Sequence, residues 1–323
     1  MSAVNRLRLP IVVIVGFVFA VLLALAVFSS AEAAEQDGAT KEKADAAATE
    51  QTDAATTEGT VSEDSEGPIT IENHSWGNYH WARTANPFTL KLGDNVTSAW
   101  DAYLDEASYD WSKGDPSYTD VLDTTKVAGQ SSAKRCGATT GRVEVCNAKY
   151  GQNGWLGIAS IWASGGHITQ GTTKLNDSYF TTAKYNTPEW RRLVMCQEVG
   201  HTFGLGHQDE NFSNGNLDTC MDYTNNPATN GHPNAHDFEQ LEIIYSHLDN
   251  STTIGQTSDT STGDDKEPGN DPPAWGKEKY RSEDGRFSVF EKDLGNDNKK
   301  ITHVFWTEER AKEHRGKHEE EEE

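Results

Sequence analysis

The run QEVGHTFGLGH, which begins at Gln197, constrains the fold of this chain more than any other stretch. Glu198 and His201 are three positions apart, and Gln197 and His201 are four apart, so on a helix their side chains share one face. Gly204 allows a left-handed turn that ends the helix and directs His207 back toward the same point. Two imidazoles, an amide oxygen and a carboxylate would then meet in one small volume. This set of groups is typical of an open zinc site with a general base beside it.

The run resembles the signature of the metzincin zinc endopeptidases, H-E-x-x-H-x-x-G-x-x-H followed by a methionine turn. Four residues match the signature: Glu198, His201, Gly204 and His207. Gln197 stands where the family has its first histidine. Downstream, Thr219–Tyr223 (TCMDY) resembles the methionine turn in its astacin and serralysin form. The resemblance implies an α+β, zincin-like fold, in which a mixed twisted β-sheet carries an active-site helix, the methionine turn and a C-terminal helix.

The resemblance also implies a role for each residue of the site. Three side chains would bind Zn²⁺: Gln197, His201 and His207. Glu198 would take a proton from the attacking water and deliver it to the leaving amine. Tyr223 would stabilise the oxyanion or act as a fifth ligand; the alternative is a core tyrosine whose hydroxyl makes a structural hydrogen bond. Met221 is expected to pack below the metal rather than to bind it.

Gln197 is the departure from the family pattern. Its amide oxygen is neutral, like an imidazole, so the charge of the ligand set is kept. Zinc prefers nitrogen and sulfur ligands, so we expect a lower metal affinity and tolerance for another divalent ion. Asp209, His232 and His236 are alternative third ligands, and Asp209 is the nearest of them in sequence. Gln197 ranks first because its helical position directs it toward the histidines.

Residues 1–34 are interpreted as an export signal or an N-terminal anchor. Arg6 and Arg8 precede an apolar run of 18 residues, 11–28, and residues 31–33 offer a small-x-small cleavage site. The run is long for a signal core and close to the roughly 17–25 residues that span a bilayer. In either case the rest of the chain is expected to be secreted or on the extracellular cell surface, with any membrane contact made through this segment alone.

Residues 35–67 are predicted to be a disordered acidic spacer, because they contain hardly any apolar side chains that could offset the entropy of ordering. A latency propeptide is the competing interpretation. Some metzincins hold a propeptide cysteine on the zinc, but the first cysteine here is Cys136, which excludes that form of latency. The net charge of −23 and pI near 4.8 argue against nucleic acid as a partner.

The metzincin-like domain is predicted to cover residues 68–250. Apolar and alternating runs predict strands at five places: 88–92, 121–127, 141–145, 155–162 and 167–175. The run 155–162 is apolar on both faces, which is typical of a central strand. The run His167–Leu175 alternates as an edge strand. In the family that the chain resembles, the edge strand above the zinc pairs with extended substrate, so this segment is the expected substrate-binding edge.

Three longer helices are predicted. The motif helix begins after the N-cap Thr187, which is followed by a proline and a glutamate. An earlier helix is predicted to be capped at Asp94–Asn95 and to end near Gly114. A C-terminal helix is predicted to begin at His236 or Asp237.

Four cysteines allow three pairings, and an exported protein favours disulfides. Cys136 with Cys146 would close a short loop. The resemblance implies the pair Cys196–Cys220, because in that fold the methionine turn lies just beneath the metal. A reactive thiol at Cys196 is the alternative.

Residues 251–278 are predicted to be a flexible linker, rich in Ser, Thr, Gly and Asp. Within the last segment, 279–323, the runs 286–291 and 301–306 are predicted to pair as a β-hairpin. An isolated hairpin is only marginally stable, so it is expected to pack on the main domain or to await a partner. Glu319–Glu323 is predicted to be a solvated acidic tail.

Two functions of different classes follow. The first is an exported, monomeric, zinc-dependent endopeptidase that hydrolyses protein or peptide substrates with Glu198 as the general base. The second is a catalytically silent, metzincin-shaped binding protein that uses the cleft or the C-terminal hairpin for recognition. The retained Glu198 and Tyr223 favour the endopeptidase.

Overall fold

A nine-stranded, mixed and twisted β-sheet organises the part of the chain that the structure describes. The computed structural model describes residues 75–113, 120–212, 214–256 and 267–321, with side chains as far as residue 314. The strands are β1 (His80–Trp81), β2 (Phe88–Asn95), β3 (Leu122–Ala128), β4 (Val143–Ala148), β5 (Trp155–Ser164), β6 (His167–Asn176), β7 (Lys277–Arg281), β8 (Phe287–Gly295) and β9 (Asn298–Trp306). The helices are α1 (Asp101–Lys113), α2 (Asp177–Phe180), α3 (Pro188–His201), α4 (Ala235–Ile244), α5 (Pro272–Trp275) and α6 (Glu308–Glu321). The predicted combination of a mixed sheet with few helices is therefore present.

The sheet is parallel at one end and antiparallel at the other. The strand order is β3-β2-β4-β6-β5-β9-β8-β7, with β1 beside β6. Strands β3, β2, β4 and β6 are parallel to one another, whereas β5, β9, β8 and β7 alternate in direction. Both faces are covered by apolar side chains. The larger core lies on the side of α1 and α3, and a smaller cluster around Trp155, Trp275 and Trp306 covers the other side.

The prediction that His167–Leu175 is an edge strand is wrong. Strand β6 lies between β4 and β5, and Gly171 pairs with Val143 on one side and Ile161 on the other. The polar side chains that suggested a solvent-facing side are buried by segments that pack on the face of the sheet. Lys174, for example, is 1% exposed and donates a hydrogen bond to Gly269 O at 2.9 Å. The alternation of polar and apolar residues distinguishes the two faces of the strand, but it does not show that other parts of the chain cover both faces.

The predicted C-terminal hairpin forms and extends the sheet. Strands β8 and β9 pair around the turn at 295–298, and β9 also pairs with β5 along its length. Ile161 lies opposite Ile301, and Ser160 Oγ lies 3.0 Å from Thr302 Oγ1. The hairpin therefore gains its stability from a third strand, as the marginal stability of an isolated hairpin requires.

The helix termini follow local sequence rules with one exception. Thr187 caps α3 by accepting a hydrogen bond from the backbone of Trp190, and Pro188 is the first helical residue. Asn234 caps α4 in a capping box with Asp237, so α4 begins slightly earlier than predicted. The exception is Asp94–Asn95, which ends β2 instead of capping α1, because pairing with β3 and β4 extends the strand.

Two disulfides are present, Cys136–Cys146 and Cys196–Cys220, and the described residues contain no free cysteine. They indicate an oxidising compartment. Within the described ranges, no helix combines the length and apolar character needed to cross a bilayer. The predicted signal or anchor (1–34), the spacer (35–67) and residues 257–266 of the predicted linker lie outside the described residues. The backbone of the predicted acidic tail is helical as far as Glu321.

Candidate functional site

The two motif histidines face each other at the C-terminal end of α3. The Nε2 atoms of His201 and His207 are 3.0 Å apart. His201 Nδ1 lies 2.8 Å from Leu205 O, so its N–H donates to that carbonyl and leaves the Nε2 lone pair facing His207. Bond lengths of about 2.0–2.1 Å in a tetrahedral zinc site put ligand atoms about 3.3 Å apart. The pair therefore has close to the separation of two ligands of one ion.

Gly204 makes the turn that joins the two histidines. Its φ of +99° lies in the left-handed region, and a Cβ there would overlap Tyr79 O. The Gly204 carbonyl accepts a hydrogen bond from Trp76 N at 3.0 Å, which anchors the N-terminal segment on the turn. The glycine is thus required by its backbone angle and by the close approach of a neighbouring chain segment.

Gln197 lies one turn before His201 on the buried side of α3. Its Nε2 donates to Cys220 O at 2.9 Å, and its Oε1 is buried with no hydrogen-bond partner among the described residues. The disulfide to Cys196 holds Cys220 against the same helix. An amide tethered through its nitrogen presents its oxygen, which is the atom that would bind a metal.

The Glu198 side chain reaches from α3 to β5. It accepts a hydrogen bond from the backbone of Ala159, whereas Oε2 is buried with no partner in the described part of the chain. Gly157 permits this approach, because a Cβ there would overlap Glu198 and Val194. Burial raises the pKa of the Glu198 carboxyl well above its usual range, and the Ala159 hydrogen bond offsets part of that rise.

The segment Thr219–Tyr223 lies directly beside the histidines. The Tyr223 ring centroid is 4.3 Å from that of His207, and its buried hydroxyl has no hydrogen-bond partner among the described residues. Burial raises the pKa of Tyr223, so the hydroxyl stays protonated and can donate. Met221 packs against α3 at Gly200, where a Cβ would crowd the Met221 sulfur. This position agrees with the expected packing role of Met221.

The alternative third ligands are engaged elsewhere. The Asp209 carboxylate accepts a hydrogen bond from Asn211 N at 2.7 Å within its own loop. His232 Nδ1 lies 2.6 Å from Asp110 Oδ2, with its side chain about half exposed. His236 is exposed on the first turn of α4.

The structure instead brings a third imidazole, His303, to the histidine pair. Its ring centroid lies 4.2 Å from that of His201 and 6.2 Å from that of His207. Its Nδ1 is buried with no hydrogen-bond partner among the described residues. Burial, together with the neighbouring histidines, lowers the pKa of His303 well below its usual range. Sequence reasoning missed it, although a histidine between Ile301 and Phe305 on an inward face was an available signal.

The cluster is closed to solvent. The four motif side chains are at most 3% exposed. The Trp76 ring lies 5.7 Å from the His201 ring, and the Phe287 ring lies 4.4 Å from the His207 ring. A cavity of about 20 Å³ lies between Trp76, His207 and His303. It has room for about one water molecule but not for a peptide.

Comparison with known proteins does not assign this chain to a family. The sequence matches no protein-family model, and no curated protein is similar to it. The resemblance to the metzincins therefore depends on the motif residues of the sequence.

Proposed function

We propose that this protein is an exported, zinc-dependent endopeptidase of the metzincin type. The observation that supports the proposal is that three buried polar atoms of the motif and of the methionine-turn segment lack hydrogen-bond partners among the described residues: Gln197 Oε1, Glu198 Oε2 and Tyr223 OH. Each buried polar group left without a partner costs about 1–3 kcal/mol. Several such groups on the residues of one motif are expected where a ligand satisfies them.

The donor set fits zinc. Gln197, His201 and His207 would hold the ion, with hydrogen bonds to Leu205 O and Cys220 O orienting two of these ligands. When bound, Zn²⁺ supplies Lewis acidity toward a water molecule and the scissile carbonyl.

Two other side chains would carry out the proton transfer and charge stabilisation. Glu198 would remove a proton from the attacking water and deliver it to the leaving amine, and its Oε2 has no hydrogen-bond partner among the described residues. Tyr223 would donate a hydrogen bond to the oxyanion, since burial keeps its hydroxyl protonated.

Substrate access requires a change in the C-terminal hairpin. Both sides of β5 are paired, with β6 and with β9, so no peptide can add to this strand in the observed arrangement. The peptidase proposal therefore includes release of β8 and β9 from β5. The same observation favours the second candidate function, a silent metzincin-shaped protein in which the hairpin permanently closes the cluster.

Metal content and cleavage of an unstructured protein, with and without chelator, test the proposal on the full chain. We expect bound zinc and chelator-sensitive cleavage that falls by about 10²–10⁴ in Glu198→Gln, the range typical of a lost general base. Glu239→Gln, an exposed substitution on α4, is the matched control and should cleave normally. Bound zinc without cleavage in any preparation would support the silent alternative. Normal cleavage by Glu198→Gln would contradict the mechanism.

A further inference from the structure

A second cluster of histidines forms where three distant chain segments meet. His80 comes from β1, His167 from the start of β6, and His247 and Asp249 from the chain after α4. His80 and His167 are direct neighbours in the parallel pairing of β1 with β6. This cluster, called the rim cluster below, shares no residue with the motif at the end of α3.

The three imidazoles of the rim cluster converge on one oxygen atom. Asp249 Oδ1 lies 3.4 Å from His80 Nε2, 3.1 Å from His167 Nε2 and 3.6 Å from His247 Nε2. The His80 ring stands nearly perpendicular to both other rings, at centroid distances of 4.9 Å and 4.8 Å. One ligand atom each from His80, His167 and Asp249 lies within 4.8 Å of the others.

The contacts to Asp249 Oδ1 range from hydrogen-bond length to longer separations. The 3.1 Å contact from His167 Nε2 is an ordinary N–H···O distance, whereas the contacts from His80 at 3.4 Å and His247 at 3.6 Å are longer. Tetrahedral zinc with bond lengths of about 2.0–2.1 Å places its ligand atoms about 3.3 Å apart. The three values observed around Asp249 Oδ1 scatter about that separation.

Neighbouring groups hold two of the ligands in a metal-binding orientation. His80 Nδ1 lies 2.9 Å from Asn78 O, so its N–H donates there and Nε2 is the ring nitrogen directed at Asp249. Arg83 occupies the other Asp249 oxygen, Oδ2, through its backbone N at 3.0 Å and its Nη1 at 3.3 Å.

We propose that His80, His167 and Asp249 bind one divalent transition-metal ion, with zinc as the best fit. Two imidazole nitrogens and one carboxylate oxygen leave the fourth tetrahedral position to water or to His247, whose Nε2 lies 3.6 Å from Asp249 Oδ1. The ion joins β1 and β6 to the chain after α4. It also fixes residues 75–81, whose Trp76 packs over the motif histidines.

Cobalt titration of the metal-free full chain, followed by visible absorption, tests the site. His167→Gln/His247→Gln removes two imidazoles that lie partly in solvent, with side chains 36% and 57% exposed, so the fold should be kept. This variant should bind one equivalent less than the wild type and lose the corresponding tetrahedral spectrum. Zinc should raise its melting temperature less than that of the wild type. His236→Gln, an exposed histidine on α4, is the matched control and should behave as wild type.

A His207→Gln variant separates this proposal from the proposed function. It should keep the equivalent bound by the rim cluster, whether or not the motif histidines bind metal. The proposal is overturned if His167→Gln/His247→Gln binds as many equivalents as the wild type with the same spectrum.

Discussion

The motif histidines and the rim cluster place the same ring in opposite environments. His201 and His207 are at most 3% exposed and lie under Trp76 and Phe287, whereas the side chains of His167 and His247 are 36% and 57% exposed. The rim cluster contains a carboxylate at its centre, and water can solvate its outer rings. The motif histidines have only buried neighbours, several of whose polar atoms lack partners among the described residues.

This difference in exposure to solvent determines which function each cluster is suited to. A partly exposed set of ligands can assemble around an ion with little rearrangement, which suits a structural centre. A buried set with a general base is suited to chemistry, because electrostatic effects are stronger away from water. Reaction at the buried set, however, requires that its cover opens.

A disulfide that holds the C-terminal hairpin on β5 should have the largest effect on cleavage. Ser160 and Thr302 lie opposite each other with their hydroxyl oxygens 3.0 Å apart, so Ser160→Cys/Thr302→Cys can form a disulfide between β5 and β9. If the hairpin must leave β5, the oxidised variant should cleave no faster than Glu198→Gln, and mild reduction should restore cleavage. The wild type and each single variant, treated identically, control for effects on the native disulfides. Cleavage at the wild-type rate by the locked protein would show that release is not needed.

Truncating one histidine of each cluster should lower the free energy of unfolding of the metal-free protein by different amounts. His207→Ala leaves a cavity among buried rings and should lower the free energy of unfolding by about 2 kcal/mol or more. His247→Ala removes an exposed side chain and should change it by no more than about 0.5 kcal/mol. Urea denaturation of both variants measures the difference. Equal losses in the free energy of unfolding would contradict the difference in burial between His207 and His247.

A histidine at position 197, where the metzincin signature has its first histidine, should define the role of Gln197. Gln197→His should tighten zinc binding at the motif by about 10- to 100-fold, at least the effect that outer-sphere changes produce. Competition with a chromophoric chelator measures the affinity. Both proteins carry His167→Gln/His247→Gln, so that the rim cluster does not contribute to the measured binding. An unchanged affinity would remove Gln197 from the ligand set.

The smallest expected difference between the rim cluster and the motif histidines is in the rate at which each loses metal. A chelator reaches the rim cluster directly but reaches the motif histidines only after local opening, so the rim ion should leave about tenfold faster or more. Stopped-flow release from His207→Gln and from His167→Gln/His247→Gln isolates each site. Release at one common rate would indicate that both clusters open together.

Several features of the fold followed from local sequence. The start of α3 was predictable because Thr187 and Pro188 satisfy the first turn by themselves. The hairpin was predictable because alternating runs flank a turn. The position of β6 was not, since its burial depends on β4 and β5, which pair with it from distant parts of the chain.

The sequence by itself determined the motif: helical spacing places Gln197, Glu198 and His201 on α3, and the turn at Gly204 returns His207 to His201, because these relations span only a few residues. The tertiary structure alone decided that His303 and the hairpin close this cluster. It alone also gathered His80, His167, His247 and Asp249 from three segments. The physical reason is that strand pairing and loop packing join residues far apart in the chain, and no periodicity within one segment encodes which partner it meets.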